Sequence, residues 1–150
     1  FSLLSANRIS WGFVSGAESA SAKYVLEQRL QLQSPALISM GDAPDKPNPQ
    51  GFIYLASKLS RKNLGQGNIP IAYVGDTIAD IKTVLNAKKR IPSQIFISIG
   101  IAPPHLHLES RRKERNSYES KLKKAGADLI IQSINDLKNI DINFFRKYQK

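Results

Sequence analysis

The 150 residues are one domain's worth of chain, and 41% hydrophobic with 23% charged residues is the composition of an ordinary globular protein. No apolar run reaches the roughly 20 residues of a membrane span. The absence of Cys rules out disulfides and thiolate metal sites and fits a reducing, cytoplasmic interior. The net charge of +10 permits anionic partners. Its clusters, Lys88-Lys89-Arg90, Arg111 to Arg115 and Lys121 to Lys124, lie within or at the ends of predicted helices, where a solvated face explains them. No interleaved aromatics offer a base-stacking surface, so nucleic acid is not the expected partner.

In chain order, Phe1 to Ser10 reads as the end of a helix and a connector. Ile9 to Val14 reads as a strand that stops at Ser15-Gly16, and the following helix puts Ala17, Ala20 and Tyr24 on one face and runs to about Leu30. A Ser-Gly turn between strand and helix can bind an anion through its hydroxyl and amides, or can simply cap the helix. Ala36 to Ser39 is a second strand. The loop after it carries Lys46-Pro47-Asn48-Pro49: Pro47 pushes Lys46 towards extended backbone, Asn48 suits an N-cap and Pro49 a first helical position. Phe52, Leu55, Ala56 and Leu59 give that helix its apolar spacing. Lys46 is thus held just before a helix, placed as a charge clamp or as an ordinary surface lysine.

The most informative stretch is Ile69 to Asp80. A β-branched run reads as a buried strand, Gly75 breaks it, and a helix follows with Ile78, Ile81 and Leu85 on one face and three cations in its last turn. Asp76 falls at the carboxyl end of the strand and Asp80 in the first helical turn. Two carboxylates four residues apart across such a turn can serve Mg²⁺, or can be a turn residue and a helix-start residue. Gln94 to Ile101 is a further buried strand. His105 and His107 follow in a loop with no third ligand near, too little for a zinc site. Glu109 to Lys124 is a charged helix closed by Gly126, Asp128 to Ile131 a last short strand, and Ile134 to Tyr148 a closing helix.

Five strands alternating with five helices predict an α/β fold, a doubly wound parallel sheet covered on both faces. Ser15, Lys46 and Asp76 each follow a different strand at its carboxyl end, the edge where such sheets bind ligands.

The order strand-Ser, then Lys-Pro-x-Pro opening a helix, then Val-Gly-Asp-x-x-x-Asp, with the ending Ala-Gly-Ala-Asp-Leu-Ile-Ile-Gln-Ser-Ile-Asn-Asp-Leu, resembles the haloacid dehalogenase superfamily, mostly Mg²⁺-dependent phosphatases with a Rossmann-like core. The resemblance covers Ile9 to Leu137. It implies that Ser15 and the Gly16 amide bind the phosphoryl group. Lys46 would neutralise charge on the nucleophile and intermediate, Asp76 would be the direct Mg²⁺ ligand, and Asp80 would share in the metal site by orienting metal-bound water or Lys46. It also implies a small phosphorylated, anionic metabolite as substrate, with phosphonate hydrolase or dehalogenase as variants.

One part of the family pattern is missing. Its nucleophile is an aspartate in Asp-x-Asp at the end of the first strand, and none of the seven aspartates here, Asp42, Asp45, Asp76, Asp80, Asp128, Asp136 and Asp141, stands two residues from another. The expectation is therefore that residues 1–150 are the C-terminal part of such a hydrolase, of the kind with a helical cap between its first and second motifs. The first central strand and the cap would lie outside this chain, which begins at Phe1, and the chain would be inactive and poorly stable by itself. The alternatives are a non-catalytic binding or regulatory domain on the same fold, or a cationic nucleic-acid-binding α/β domain.

Overall fold

The computed structural model describes residues 1–65, 67 and 69–140. The chain divides into two compact units, Phe1–Leu64 and Gly65–Lys150.

The first unit opens with a short helix α1 (Ser2–Ala6). A ring cluster follows it, with Trp11 4.8 Å from Phe1 and 5.8 Å from Phe13 between ring centroids. Strand β1 (Phe13–Val14) pairs in parallel with β2 (Leu37–Ile38), Phe13 opposite Leu37 and Val14 opposite Ile38. Between them, α2 (Ser19–Lys23) continues as a π-helical stretch, Tyr24–Arg29. The buried residues of this helix are Ala22 and Leu26, while Tyr24 is exposed. The expected face through Ala17, Ala20 and Tyr24 therefore points outward. Four-residue spacing is kept, but in a segment rich in Ala and Ser several registers look alike to periodicity. Helix α3 (Gln50–Ser60) buries Phe52, Leu55 and Ala56, the stripe the spacing predicts. Asn48 acts at its start, its Oδ1 accepting the Gln50 N–H at 2.9 Å, so the helix begins one residue later than the Pro49 expectation.

In the second unit β3 (Ile71–Gly75), β4 (Phe96–Ile101) and β5 (Leu129–Ile131) form a parallel sheet in the order β3-β4-β5. Helices α4 (Ile78–Arg90) and α5 (Arg112–Lys124) are the crossovers that parallel strands require. Ile97 and Ile99 of β4 gather on one face with Ile131, Val74, Leu137 and Ile140. On the other face Ile81 of α4, Leu122 of α5 and Ala127 form a core joined by Tyr118 and Ile130. The alternation along β4 is why its central residues are buried on both sides. Helix α5 ends as the sequence implies: Gly126 takes φ +109°, its N–H reaches the Lys123 carbonyl, and Ala127 N–H reaches that of Leu122.

The α/β class and the parallel pairing agree with the sequence reading. The strands are shorter than expected at their amino ends and fall into two sheets of two and three strands. Strand existence follows from local pattern, whereas pairing is a long-range choice the pattern does not encode. The charged helix starts at Arg112 after a 3₁₀ turn at Glu109–Arg111. The closing helix is a 3₁₀ stretch, Ile134–Asn139, and the rest of that expectation lies outside the described residues. Among the described residues, no helix is long and apolar enough to cross a membrane.

Candidate functional site

In the first unit the candidate residues meet at the carboxyl end of β1. Ser15 N–H continues the β1–β2 ladder by donating to the Ile38 carbonyl at 2.8 Å. Its Oγ accepts the Ala17 N–H at 3.1 Å, so the hydroxyl is held by a local turn. At Gly16 an added Cβ would meet nothing within 4 Å, so the turn faces open space. Half-buried Lys46 brings its Nζ to 3.4 Å from the Val14 carbonyl, one residue before Ser15. The loop that delivers it is braced internally. Met40 N–H donates to the Ala17 carbonyl, and Asp42 Oδ2 accepts the Ser39 hydroxyl at 2.6 Å and its N–H at 2.8 Å. Those two bonds, the hydroxyl's first, hold the Asp42 carboxyl below its usual range. Ser15, Gly16, Ser39, Lys46 and Asn48 line one small hollow. With the Ser39 proton committed to Asp42 and Asp45 also lining the hollow, it offers the Lys46 ammonium and the Ser15 hydroxyl at a strand end, donors suited to a tetrahedral oxyanion.

In the second unit the two carboxylates play unequal parts. Asp80 is 3% exposed and belongs to the start of α4. Its Oδ2 accepts the Thr77 hydroxyl at 2.6 Å and N–H at 3.0 Å, while Thr77 Oγ1 accepts the Asp80 N–H, a capping box. Its Oδ1 accepts the Tyr73 hydroxyl at 3.0 Å. Both oxygens are thus engaged in positioning the turn. Gly75 is required by the same packing: a Cβ there would overlap Asp80 and stand 2.7 Å from its Cγ. Asp76 is partly exposed, and its side chain enters no hydrogen bond among the described residues. Its backbone carbonyl accepts the Tyr118 hydroxyl, from α5, at 2.7 Å.

Tyr73 and Tyr118 were not singled out by the sequence reading, since a strand tyrosine and a helix tyrosine have no local signal of what they bond. The alternation of β3, which puts Tyr73 and Gly75 on one face, was the available hint. Burial pushes the Tyr73 hydroxyl far above the usual phenol range, and the Asp80 charge beside it adds to that. Tyr118 shifts the same way, by burial first and then by the charges of Asp76 and Asp80. A groove of about 500 Å³ beside Tyr118 is lined by His105, Leu106, Lys113, Ser117 and Lys121 among others. His107 is engaged elsewhere, its Nε2 lying 2.9 Å from the Ala102 carbonyl.

As to a metal, no three His, Asp or Glu side chains among the described residues are grouped to hold one. The donor set instead has one open carboxylate, Asp76, backed by a buried one. That fits Mg²⁺, which keeps several waters and uses one or two carboxylates together with substrate oxygens, and does not fit a closed zinc cage.

No known family model matches the chain, and no curated protein sequence matches it. Among solved structures, it is similar to a phosphonoacetaldehyde hydrolase-like protein from Oleispira antarctica, with a TM-score of 0.75 and 21% sequence identity over 99% of this chain. The chain spans 55% of that protein's length. At this identity the likeness is one of fold, and it supports a Rossmann-like α/β core.

Proposed function

We propose that residues 1–150 carry the phosphoryl-binding and Mg²⁺-binding parts of a hydrolase of the haloacid dehalogenase type, acting on a small phosphorylated or phosphonate metabolite. The observation that carries this reading is the hollow at the end of β1. There Ser15, Gly16 and Lys46, drawn from segments about thirty residues apart, are brought together by the β1–β2 pairing and the braced loop. The name of the structural neighbour, a phosphonoacetaldehyde hydrolase-like protein, is in keeping with that substrate class.

In this reading the Ser15 hydroxyl and the Gly16 amide fix the transferring group, and the Lys46 ammonium offsets the charge on its oxygens. Phosphoryl transfer needs positioning and charge neutralisation more than elaborate covalent chemistry. In the second unit the Asp76 carboxylate would hold Mg²⁺, which when bound supplies charge neutralisation. Asp80 keeps the Asp76 turn in place through Thr77 and Tyr73. The nucleophile, an aspartate of Asp-x-Asp, is not among these 150 residues.

The test is titration of the isotope-labelled chain with inorganic phosphate, read residue by residue by nuclear magnetic resonance. We expect the amides of Ser15 and Gly16 to shift, and Lys46→Ala to weaken binding about tenfold, the loss of one charge-assisted contact. Shifts confined to the Lys88–Arg90 or Arg111–Arg115 clusters would overturn the reading.

A further inference from the structure

We infer that Tyr118 is a positioning residue for the divalent cation, acting through Asp76; the inference rests on the reading of Asp76 as a Mg²⁺ ligand.

Three observations carry it. The Tyr118 hydroxyl donates to the Asp76 carbonyl at 2.7 Å, a bond between residues 42 apart in sequence. It ties the β3–α4 turn to α5 at the residue whose side chain is left open. The turn is also fixed after Asp76 by the capping of Thr77 and Asp80, and before it by the pairing of Gly75 with Gly100 in the β3–β4 ladder. Asp76 itself has no side-chain bond to hold it among the described residues. The bond from Tyr118 falls on the carbonyl of the Asp76–Thr77 peptide, whose N–H donates to Asp80 Oδ2, so the two bonds together set the direction of that peptide plane. Finally, Tyr118 is well anchored at its other end, its ring packing on the core of Ile81, Leu122 and Ala127. A ring held in a core with its hydroxyl on a ligand-bearing turn is the support that a metal ligand requires.

The physical consequence is specific. A lone carboxylate binding a cation loses conformational freedom, and a turn already held in place loses less. Removing the hydroxyl while keeping the ring leaves the core intact and leaves the Asp76–Thr77 peptide held at its N–H end alone. Cation affinity falls, whereas the phosphoryl hollow in the first unit is untouched.

The experiment uses the 150-residue chain and Mn²⁺ as probe, with affinity read from paramagnetic broadening of the amides of residues 75–77. Four proteins are compared: wild type, Asp76→Asn, Tyr118→Phe and Ala127→Gly. The last loosens the same core without removing the hydroxyl. The proposal predicts that Asp76→Asn abolishes the broadening, Tyr118→Phe weakens Mn²⁺ binding three- to tenfold, and Ala127→Gly leaves it near wild type. If Asp76→Asn binds like wild type, or wild type shows no broadening there, the assignment of Asp76 fails and this inference with it. If Asp76→Asn abolishes binding but Tyr118→Phe binds like wild type, or no worse than Ala127→Gly, Tyr118 is a packing residue only, and the Asp76 assignment stands.

Discussion

Single residues explain why one of two aspartates four positions apart is open and the other is not. Asp80 is held by Thr77 and Tyr73, and both of its oxygens are occupied. Asp76 is partly exposed, with no side-chain hydrogen bond among the described residues. From sequence the resemblance gave the two different roles but not this difference in bonding, because the hydroxyl that distinguishes them comes from β3, three residues before Asp76. Tyr73 also makes a pH prediction. Its folded pKa is raised, so the folded state keeps a proton that the unfolded chain gives up near pH 10. That contribution to stability is whole below about pH 10 and is lost as pH climbs above it. Denaturation followed from pH 8 to 11 should show a steep alkaline loss in the wild type and a shallower one in Tyr73→Phe. Equal slopes would mean that Tyr73 is not the buried phenol described here.

At the level of elements, the strand–turn–helix from β3 to α4 was largely legible. The β-branched run, the break at Gly75, the acid in the first turn and the cations in the last turn all agree with β3 (Ile71–Gly75) and α4 (Ile78–Arg90). What local pattern did not reveal is that Gly75 is needed for close approach to Asp80 and not for a left-handed backbone. Gly75→Ala must push Asp80 out of its cap. Overpacking costs about 1–3 kcal/mol, and loss of a cap about 1 kcal/mol. Urea denaturation should therefore show a loss of about 2–4 kcal/mol, and a loss under 0.5 kcal/mol would contradict the packing. Asp128 is the counterpart elsewhere in the same unit. It accepts Lys88 Nζ at 2.8 and 3.0 Å and the Ser98 N–H at 2.7 Å. The sequence reading passed over that role, since Lys88 lies 40 residues away and was counted with a solvated cluster.

The whole molecule is a chain of two units whose candidate residues divide between them: Ser15, Gly16 and Lys46 in the first, Asp76 and Asp80 in the second. The sequence made the parallel α/β class legible, and with it the places of these five residues at strand ends and helix starts, because strand ends, Pro-rich helix starts and Gly-Asp turns are local signals. It did not show the split of strands between two sheets or the two tyrosines, which are long-range facts. Since phosphoryl transfer in the proposed reading needs a carboxylate nucleophile absent from these 150 residues, the chain should not turn over an aryl phosphate in the presence of Mg²⁺. Turnover abolished by Asp76→Asn would show that another residue serves as nucleophile.

The central claim is that the hollow at the end of β1 is a phosphoryl cradle, and the measurement that tests it most directly is a crystal of the chain soaked with tungstate, a heavy tetrahedral oxyanion. The account predicts anomalous density within hydrogen-bond distance of Ser15 Oγ and Lys46 Nζ, and its loss in Lys46→Ala. Density confined to Lys88–Arg90, to the Arg111–Arg115 cluster or to the groove beside Tyr118, with the hollow empty, would contradict it.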